Sequence, residues 1–223
     1  MKEKLAVVLY GNIVREIMEH KIPKNIIYVW VGGKDKPQKV LDCINSWKKN
    51  MPEDEWNYIE VNDDTFDISE NKYCQDAYIS KHWAYVSDYL RLKALYEYGG
   101  IYMDTDVEVY KSLDEFLKYD FFTGFEQPHY PITATMGAIK GQWLIKEMLD
   151  TYNTKEFKTH ENWYEYETNT MILSDILGKY FDRDREEYQE HDNMAIFPKE
   201  TFCSGEIDEN TYTRHLMVGQ WRD

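Results

Sequence analysis

The chain has 223 residues and a formal charge of −15, with 41 acidic against 26 basic side chains. This balance excludes a polyanion such as DNA as the main partner, and no nucleic-acid function is expected. The three cysteines lack C-x-x-C spacing, which argues against a disulfide framework or a cysteine zinc site and predicts reduced thiols in a cytoplasmic protein.

Residues 1–21 are predicted to form a helical extension ahead of the main domain. Ile13 and Ile17 fall on one face of this helix. We interpret it as a packing helix or a contact for a partner protein, and a peripheral contact with the inner face of a membrane stays open. Glu16 and Glu19 argue against anionic lipid. The apolar run at 5–10 is too short to cross a bilayer or to act as a secretory signal.

A nearly continuous apolar run at 26–31 predicts a strand that is buried on both faces. It stops at Gly32 and Gly33. Because ligands bind beyond the carboxyl ends of strands in open α/β sheets, this pair is a candidate nucleotide-binding edge, with a plain tight turn as the alternative. A helix at 37–47 and a strand at 56–61 follow, and this order predicts a Rossmann-like, mostly parallel sheet flanked by helices.

The next helix is predicted to be apolar on two sides. One stripe begins at Ile79 and Trp83, and Asp88 and Arg91 lie in the opposite apolar sector, three residues apart. Burying two charges costs several kcal/mol per ion unless each is paired or meets a ligand. The pair is therefore either a structural ion pair or part of a site.

Gly99 and Gly100 are expected to end this helix, and a short strand at 101–103 runs directly into a D-x-D sequence. Residues two apart on an extended chain point the same way, so the carboxylates of Asp104 and Asp106 can face one hard cation.

The second half of the chain alternates strand and helix patterns. Strands are predicted at 121–125 and 132–139, and amphipathic helices at 143–152 and 170–180. The remaining segments are interpreted as a short helix at 113–117, a chain break at 128–131, a polar and aromatic loop at 155–167 that could cover an acceptor, and a solvated charge run at 182–192.

Three stretches together resemble glycosyltransferase family 32, the bacterial polysaccharide and yeast mannosyl-chain enzymes; the large clostridial glucosylating toxins carry similar motifs. The central stretch reads S-D-x-x-R and then Y-G-G-I-Y-x-D-x-D, and the opening one reads I-P-K-x-I-x-Y-V-W-x-G-G. The closing one is similar to T-E-N-T-Y-x-I-H-H-x-x-G-S-W. The resemblance implies a single catalytic domain at 22–223 with a GT-A-like α/β fold, and it makes partner glycosyltransferases the expected contacts of the extension at 1–21.

The resemblance also implies roles for individual residues. Asp104 and Asp106 would hold Mn²⁺ or Mg²⁺ against the diphosphate of a nucleotide sugar. Asp88 and Arg91 would contact the donor sugar and, with Asp106, carry the catalysis. His215 matches the first histidine of the closing pattern, and would complete the metal shell or touch the diphosphate.

Further donor contacts are expected at Trp30 (against the base), Gly32, Tyr102, Thr133 (under the sugar) and Trp221. Core packing is the alternative for Trp30, and an ordinary strand hydroxyl is the alternative for Thr133. Two positions depart from the closing family pattern: Leu216 replaces a second histidine, and Gln220 replaces a serine.

The implied reaction moves a hexose from a nucleotide-diphosphate sugar, UDP-hexose before GDP-hexose, to a saccharide or lipid-linked saccharide acceptor in surface or capsular polysaccharide synthesis. Family 32 and the toxins retain the anomeric configuration, which implies retention here. The motifs also leave no further acid in a recognisable base position, and Glu126 is the nearest candidate.

Two other function classes stay open from the sequence. The stretch from Asp104 to Val107 also fits the D-x-D-x-[TV] loop of haloacid-dehalogenase-like phosphatases, in which the first Asp attacks phosphorus. That loop normally follows the first strand, whereas several elements precede it here. A non-catalytic sugar-nucleotide-binding module would be expected to have lost a carboxylate of the D-x-D or the Asp88/Arg91 pair, and both are present.

Overall fold

A computed structural model describes residues 20–158, 167–203 and 205–218. The predicted N-terminal helix, except for its last two residues, lies outside the described part, as do Trp221 and most of the predicted acceptor loop. Among the described residues, no helix is long and apolar enough to span a membrane.

The described strands are β1 (Asn25–Val29), β2 (Asn57–Val61), β3 (Gly100–Met103), β4 (Val107–Val109), β5 (Phe121–Gln127), β6 (Tyr130–Pro131), β7 (Thr135–Ala138), β8 (Gln189–His191), β9 (Met194–Phe197) and β10 (Thr213–His215). The described helices are α1 (Gln38–Asn50), α2 (Lys72–Ile79), α3 (Trp83–Tyr98), α4 (Trp143–Thr151), α5 (Asn169–Leu177) and α6 (Lys199–Phe202), with 3₁₀ turns at Ile68–Glu70 and Asp114–Phe116.

The central sheet has the strand order β2-β1-β3-β7-β5-β9-β8, with β6 beside β5. Strands β1, β2, β3, β5 and β9 run in one direction, and β6, β7 and β8 run against them. The predicted mostly parallel α/β sheet in a single domain is therefore confirmed. Strands β4 and β10 pair separately as an antiparallel ribbon.

Strand β1 is buried on both faces, as its apolar run predicts. Ile27 and Val29 join the core under α3, α4 and α5. Ile26 and Tyr28 point the other way, into the core that contains Trp47 of α1. Successive side chains of a strand alternate between faces, so a strand between two helical layers needs apolar residues at nearly every position.

Helix α3 is covered on two sides, but it starts later than its predicted stripe. The helical conformation is interrupted before Trp83, where the backbone of Lys81 takes a φ of 59°. Ile79 therefore ends α2 and is 71% exposed, so its predicted place in the α3 stripe is wrong. Val86 and Leu95, from opposite sectors, are both fully buried.

The two glycines after α3 are needed for conformation and for space. Gly99 and Gly100 have φ values of 65° and 134°. A Cβ on Gly99 would lie 2.5 Å from the backbone nitrogen of Lys140, and a Cβ on Gly100 would lie 2.5 Å from the carbonyl oxygen of Asn25. Only glycine allows the chain to turn here and enter β3 directly against its neighbours. The D-x-D sequence is thereby held at the end of a central strand.

Several short elements differ from the prediction. The helix expected at 113–117 is a single 3₁₀ turn, Asp114–Phe116. Tyr130 and Pro131 pair with β5, where a chain break was expected. Strands β4, β8, β9 and β10 and helix α6 were not predicted, because runs of three or four residues carry too little periodicity to be read.

Candidate active site

A pocket of about 690 Å³ opens at the end of β3. Its lining includes Asp88 and Arg91 from α3, Asp104 after β3, and His215 from β10. This volume lies in the range of small-molecule sites. Parts of the chain that are distant in sequence therefore meet at the carboxyl end of a central strand, where the α/β architecture places ligands.

Arg91 lies at the base of this pocket and is almost completely buried. One guanidinium nitrogen, Nη2, lies 3.1 Å from Asp88 Oδ1 and 3.3 Å from Asp104 Oδ1. The other, Nη1, donates a hydrogen bond of 3.1 Å to the carbonyl oxygen of Thr133. The guanidinium carbon lies 4.7 Å from the centre of the Tyr102 ring. Arg91 thus links α3 to the D-x-D sequence and to the segment before β7.

Tyr102 supports the site from below. Its hydroxyl donates a hydrogen bond of 2.6 Å to Asp104 Oδ1 and lies 3.1 Å from the hydroxyl of Ser87. Its side chain is 1% exposed and is not part of the pocket lining. The structure therefore places Tyr102 as the residue that orients the Asp104 carboxylate.

The protonation of the buried pair follows from its surroundings. Burial raises the pKa of Asp88 to about 6, although the Arg91 charge acts in the opposite direction. Burial lowers the pKa of Arg91, but Asp104, Tyr102 and Asp88 outweigh this effect and the net shift is upward. Arg91 therefore stays charged, and Asp88 carries a carboxylate that is easily protonated.

Asp104, Asp106 and His215 form a cluster whose potential ligand atoms all lie within 4.8 Å of one another. The ribbon of β4 and β10 creates it, because His215 pairs in register with Val107, the residue after the D-x-D sequence. His215 Nε2 lies 3.3 Å from Asp106 Oδ1. Two carboxylates and an imidazole suit a divalent ion such as Mn²⁺. The residues present therefore fit the predicted metal, and the role of His215 as a ligand stays a prediction.

His215 is positively charged when no metal is bound. Burial lowers its pKa, but the neighbouring Asp106, Cys203 and Glu126 raise it to about 12. Burial also raises the pKa of Asp106, and His215 outweighs this and leaves it below its usual value. The imidazolium thus balances the acidic cluster, and a metal ion would replace its proton.

Residues 37–123 match a family model described as a glycosyltransferase sugar-binding region containing a DXD motif. The matched segment includes Asp88, Arg91 and both aspartates of the D-x-D sequence. This region of the chain is therefore similar to the sugar-binding region of DXD-containing glycosyltransferases. No curated protein is similar enough in sequence to count as a relative.

Solved structures of other glycosyltransferases resemble it. PaToxG glycosyltransferase is 19% identical, with 79% of this chain and 77% of that chain covered and a TM-score of 0.53, which shows a shared fold. LgtC is 11% identical over 86% of each chain, with a TM-score of 0.48. A glycosyltransferase involved in the glycosylation of the major capsid of PBCV-1 is 10% identical over 89% of this chain and 95% of that chain, with a TM-score of 0.44.

The family match confirms the resemblance to DXD-containing glycosyltransferases, and the fold shared with PaToxG glycosyltransferase confirms the predicted GT-A-like fold. The family match also decides between the classes that the sequence left open, because the chain is an enzyme that uses nucleotide sugars. Neither the phosphatase with Asp104 as nucleophile nor the non-catalytic binding module is supported. Asp104 Oδ1 already accepts the Tyr102 hydroxyl and pairs with Arg91.

The other predicted donor residues of this glycosyltransferase lie at different distances from the pocket. Thr133 is part of the lining. Trp30 and Gly32 are not: the indole of Trp30 donates to the carbonyl oxygen of Lys34 at 2.7 Å, and the backbone N–H of Gly32 donates to Asp63 Oδ2 at 3.0 Å. A Cβ on Gly32 would lie 2.9 Å from the ring of Trp83, at the start of α3. Trp30 and Gly32 stay predictions, and Trp221 lies outside the described residues.

The sequence reasoning missed the part that α5 contributes. Thr168, Asn169 and Thr170, at the start of α5, line the pocket. The Asn169 amide donates a hydrogen bond of 2.7 Å to the carbonyl oxygen of Asp88, and its own oxygen accepts the Tyr152 hydroxyl at 2.5 Å. The T-N-T sequence marks a helix start, but nothing in it indicates that this helix faces α3.

Proposed function

We propose that this glycosyltransferase is metal-dependent and retaining. It transfers a hexose from a nucleotide-diphosphate sugar, UDP-hexose in preference to GDP-hexose, to a saccharide or lipid-linked saccharide acceptor in surface polysaccharide synthesis. The observation that supports this best is the cluster of Asp104, Asp106 and His215 beside a pocket that also contains the Asp88/Arg91 pair.

Asp104, Asp106 and His215 are the residues that would hold Mn²⁺ or Mg²⁺. When bound, the ion supplies the positive charge that stabilises a leaving diphosphate. The protein orients the Asp104 carboxylate for the ion, because Tyr102 and Arg91 both contact Asp104 Oδ1. A carboxylate held in this way is oriented before the metal arrives, which lowers the cost of binding.

Asp88 and Arg91 are proposed to bind the donor sugar. Asp88 lines the pocket, and its carboxylate can accept hydrogen bonds from sugar hydroxyls. Arg91 pairs with it from below, while Asn169 holds the backbone carbonyl of the same residue. Arg91 thus holds the Asp88 side chain and Asn169 holds its backbone, as expected of a residue that positions a substrate.

Retention is supported by the surroundings of Glu126, the acid nearest to the role of a base. Glu126 lines the pocket. Its Oε1 lies 3.5 Å from His215 Nδ1, so this carboxylate is engaged in an ion pair within the protein rather than free to face an acceptor hydroxyl. Proton NMR of the first product from an α-linked gluco- or galacto-configured donor tests the stereochemistry. An α-linked initial product supports retention, and a β-linked one would overturn it and assign Glu126 as the base.

The decisive experiment for the reaction is a panel of nucleotide sugars, scored for nucleotide release with Mn²⁺ and with chelator. One donor should be turned over far faster than the others, only with metal, and Asp106→Asn should abolish this turnover. Asp192→Asn is a matched control, because the Asp192 side chain is 87% exposed. Equal release in chelator would refute the metal dependence, and release from GDP-hexose alone would refute the preference for uridine.

Two further proposals concern the setting of the enzyme. We place its action in the cytoplasm, which the free and buried thiols of Cys43, Cys74 and Cys203 support. We also propose residues 22–223 as the catalytic unit, with 1–21 as an extension. Expression of 22–223 alone tests this: donor turnover equal to that of the full chain is expected, and an inactive fragment would contradict it.

A further inference from the structure

Glu126, Cys203 and His215 form a second cluster, on the other side of the His215 ring from the D-x-D sequence. One potential ligand atom from each residue lies within 4.8 Å of the others. Glu126 belongs to β5, Cys203 directly follows α6, and His215 belongs to β10. A thiol, an imidazole and a carboxylate together are ligands typical of zinc sites.

The scaffold around this cluster is well connected. The backbone N–H of Cys203 donates a hydrogen bond of 2.9 Å to the carbonyl oxygen of Lys199. The hydroxyl of Thr213 donates one of 2.8 Å to the carbonyl oxygen of Phe202, which ties β10 to the end of α6. Cys203 is 3% exposed. The cluster therefore lies in a packed part of the molecule, where ligand positions are held by secondary structure.

The two nitrogens of His215 face different clusters. Nε2 lies 3.3 Å from Asp106 Oδ1, and Nδ1 lies 3.5 Å from Glu126 Oε1. In the described part of the chain, Nδ1 is shielded from solvent and makes no well-formed hydrogen bond, because the Glu126 carboxylate at 3.5 Å is only a loose ion-pair partner. Buried polar atoms rarely lack a partner, and such an atom calls for an explanation such as an ion. The Nδ1 atom of His215 faces Glu126 and Cys203, the acid and the thiol of the second cluster.

We propose that Glu126, Cys203 and His215 Nδ1 bind a borderline-soft divalent cation of the Zn²⁺ or Cd²⁺ class, and that this ion inhibits the transferase. On binding, the thiol and the imidazolium each release a proton, and the ion accepts lone pairs from sulfur, nitrogen and oxygen. Metal–ligand distances of about 2.0–2.3 Å require only small movements of side chains. A fourth position is left for water.

Inhibition follows from the single lone pair of a neutral imidazole. When Nδ1 binds the soft ion, Nε2 must carry the ring proton, which it can donate to Asp106. His215 then has no lone pair for a metal at Asp104 and Asp106. Hard cations such as Mn²⁺ and Mg²⁺ prefer the oxygen-rich cluster, whereas thiolate selects softer ions. The binding claim stands alone, while the inhibition rests on the proposed metal dependence.

The binding is tested by titrating the full, reduced chain with Cd²⁺ and recording the thiolate-to-metal charge-transfer absorption. We expect one tight equivalent in the wild type and no band in Cys203→Ser. Cys43→Ser removes another buried thiol and should keep the band. Glu126→Gln keeps the thiol and should weaken the Cd²⁺ affinity about 10-fold or more. If circular dichroism shows that Cys203→Ser does not fold, Glu126→Gln still tests the site.

A wild type without the band, or a band that persists in Cys203→Ser, would overturn the site, as would an unchanged affinity in Glu126→Gln. The second arm measures Mn²⁺-dependent turnover at one equivalent of Cd²⁺. We expect strong inhibition in the wild type and Cys43→Ser, and little in Cys203→Ser. Binding without inhibition would keep the site and refute the competition for His215. An enzyme that needs no Mn²⁺ would refute the proposed function and leave the binding result intact.

Discussion

Replacing Arg91 by methionine tests whether the buried pair is structural, functional or both. The change keeps most of the side-chain volume and removes the cation that faces Asp88 and Asp104. The Arg91 side chain is 7% exposed and that of Asp88 is 14% exposed, so water from the pocket can replace the lost charge only in part. The hydrogen bond to the Thr133 carbonyl oxygen is lost as well.

Breaking one partner of a buried ion pair costs about 3–5 kcal/mol of unfolding free energy. We expect Arg91→Met to fall at the lower end of this range. Asp88 already has a pKa raised to about 6, and without its cation it can take up a proton near neutral pH. The matched control is Lys93→Met, on the same helix. Lys93 pairs with Glu70 at 2.7 Å and with Glu97 at 2.9 Å at the surface, and its loss should cost about 1 kcal/mol or less.

Urea denaturation of both variants gives the unfolding free energies, and nucleotide release per folded molecule gives the activity. Arg91→Met should also lose about 100-fold or more in turnover, because a positioned charge at the reacting centre is lost. A stability loss no larger than that of Lys93→Met would refute the reasoning from burial. Near-normal turnover of the folded fraction would assign Arg91 to structure alone.

Three further changes probe the site. Asp106→Asn should remove metal-dependent donor binding in calorimetry without unfolding the protein; donor binding that is undiminished in chelator would contradict it. Tyr102→Phe removes the hydrogen bond of 2.6 Å to Asp104 and should weaken Mn²⁺ binding by about 10–100-fold, whereas an unchanged affinity would show that the hydroxyl does not orient the carboxylate. The pKa of Asp88 is raised from 3.8 to about 6 by burial, so the native state binds its proton more tightly than the unfolded state. The free energy of unfolding should fall as the pH rises through this interval, by on the order of 3 kcal/mol, and Asp88→Asn should lack this fall. Identical pH profiles of the two proteins would refute the raised pKa of Asp88.

The sequence by itself determined the elements whose patterns are local. The apolar run of β1, the spacing of α3 and the glycines before β3 are readable because each reflects a short-range requirement for burial or backbone conformation. Asp88 and Arg91 face the same way because they lie three residues apart on one helix. Asp104 and Asp106 were expected to do so on an extended chain. In the structure their carboxylates instead come together across a turn, in which the backbone N–H of Val107 donates a hydrogen bond of 3.0 Å to the carbonyl oxygen of Asp104. The donor half of the site was therefore predictable.

Only the tertiary structure decided how the distant parts of the chain complete the site. His215 reaches Asp106 through the pairing of two three-residue strands, β4 and β10, which are too short to show a pattern. The sequence motifs suggested His215 as a metal ligand, but not that its ring lies between two groups of potential ligands, one with Asp104 and Asp106 and one with Glu126 and Cys203. Asn169 and Cys203 carried no signal of their own, because their roles depend on contacts between residues far apart in the chain. Such contacts are set by how the sheet and helices pack together, which no local spacing encodes.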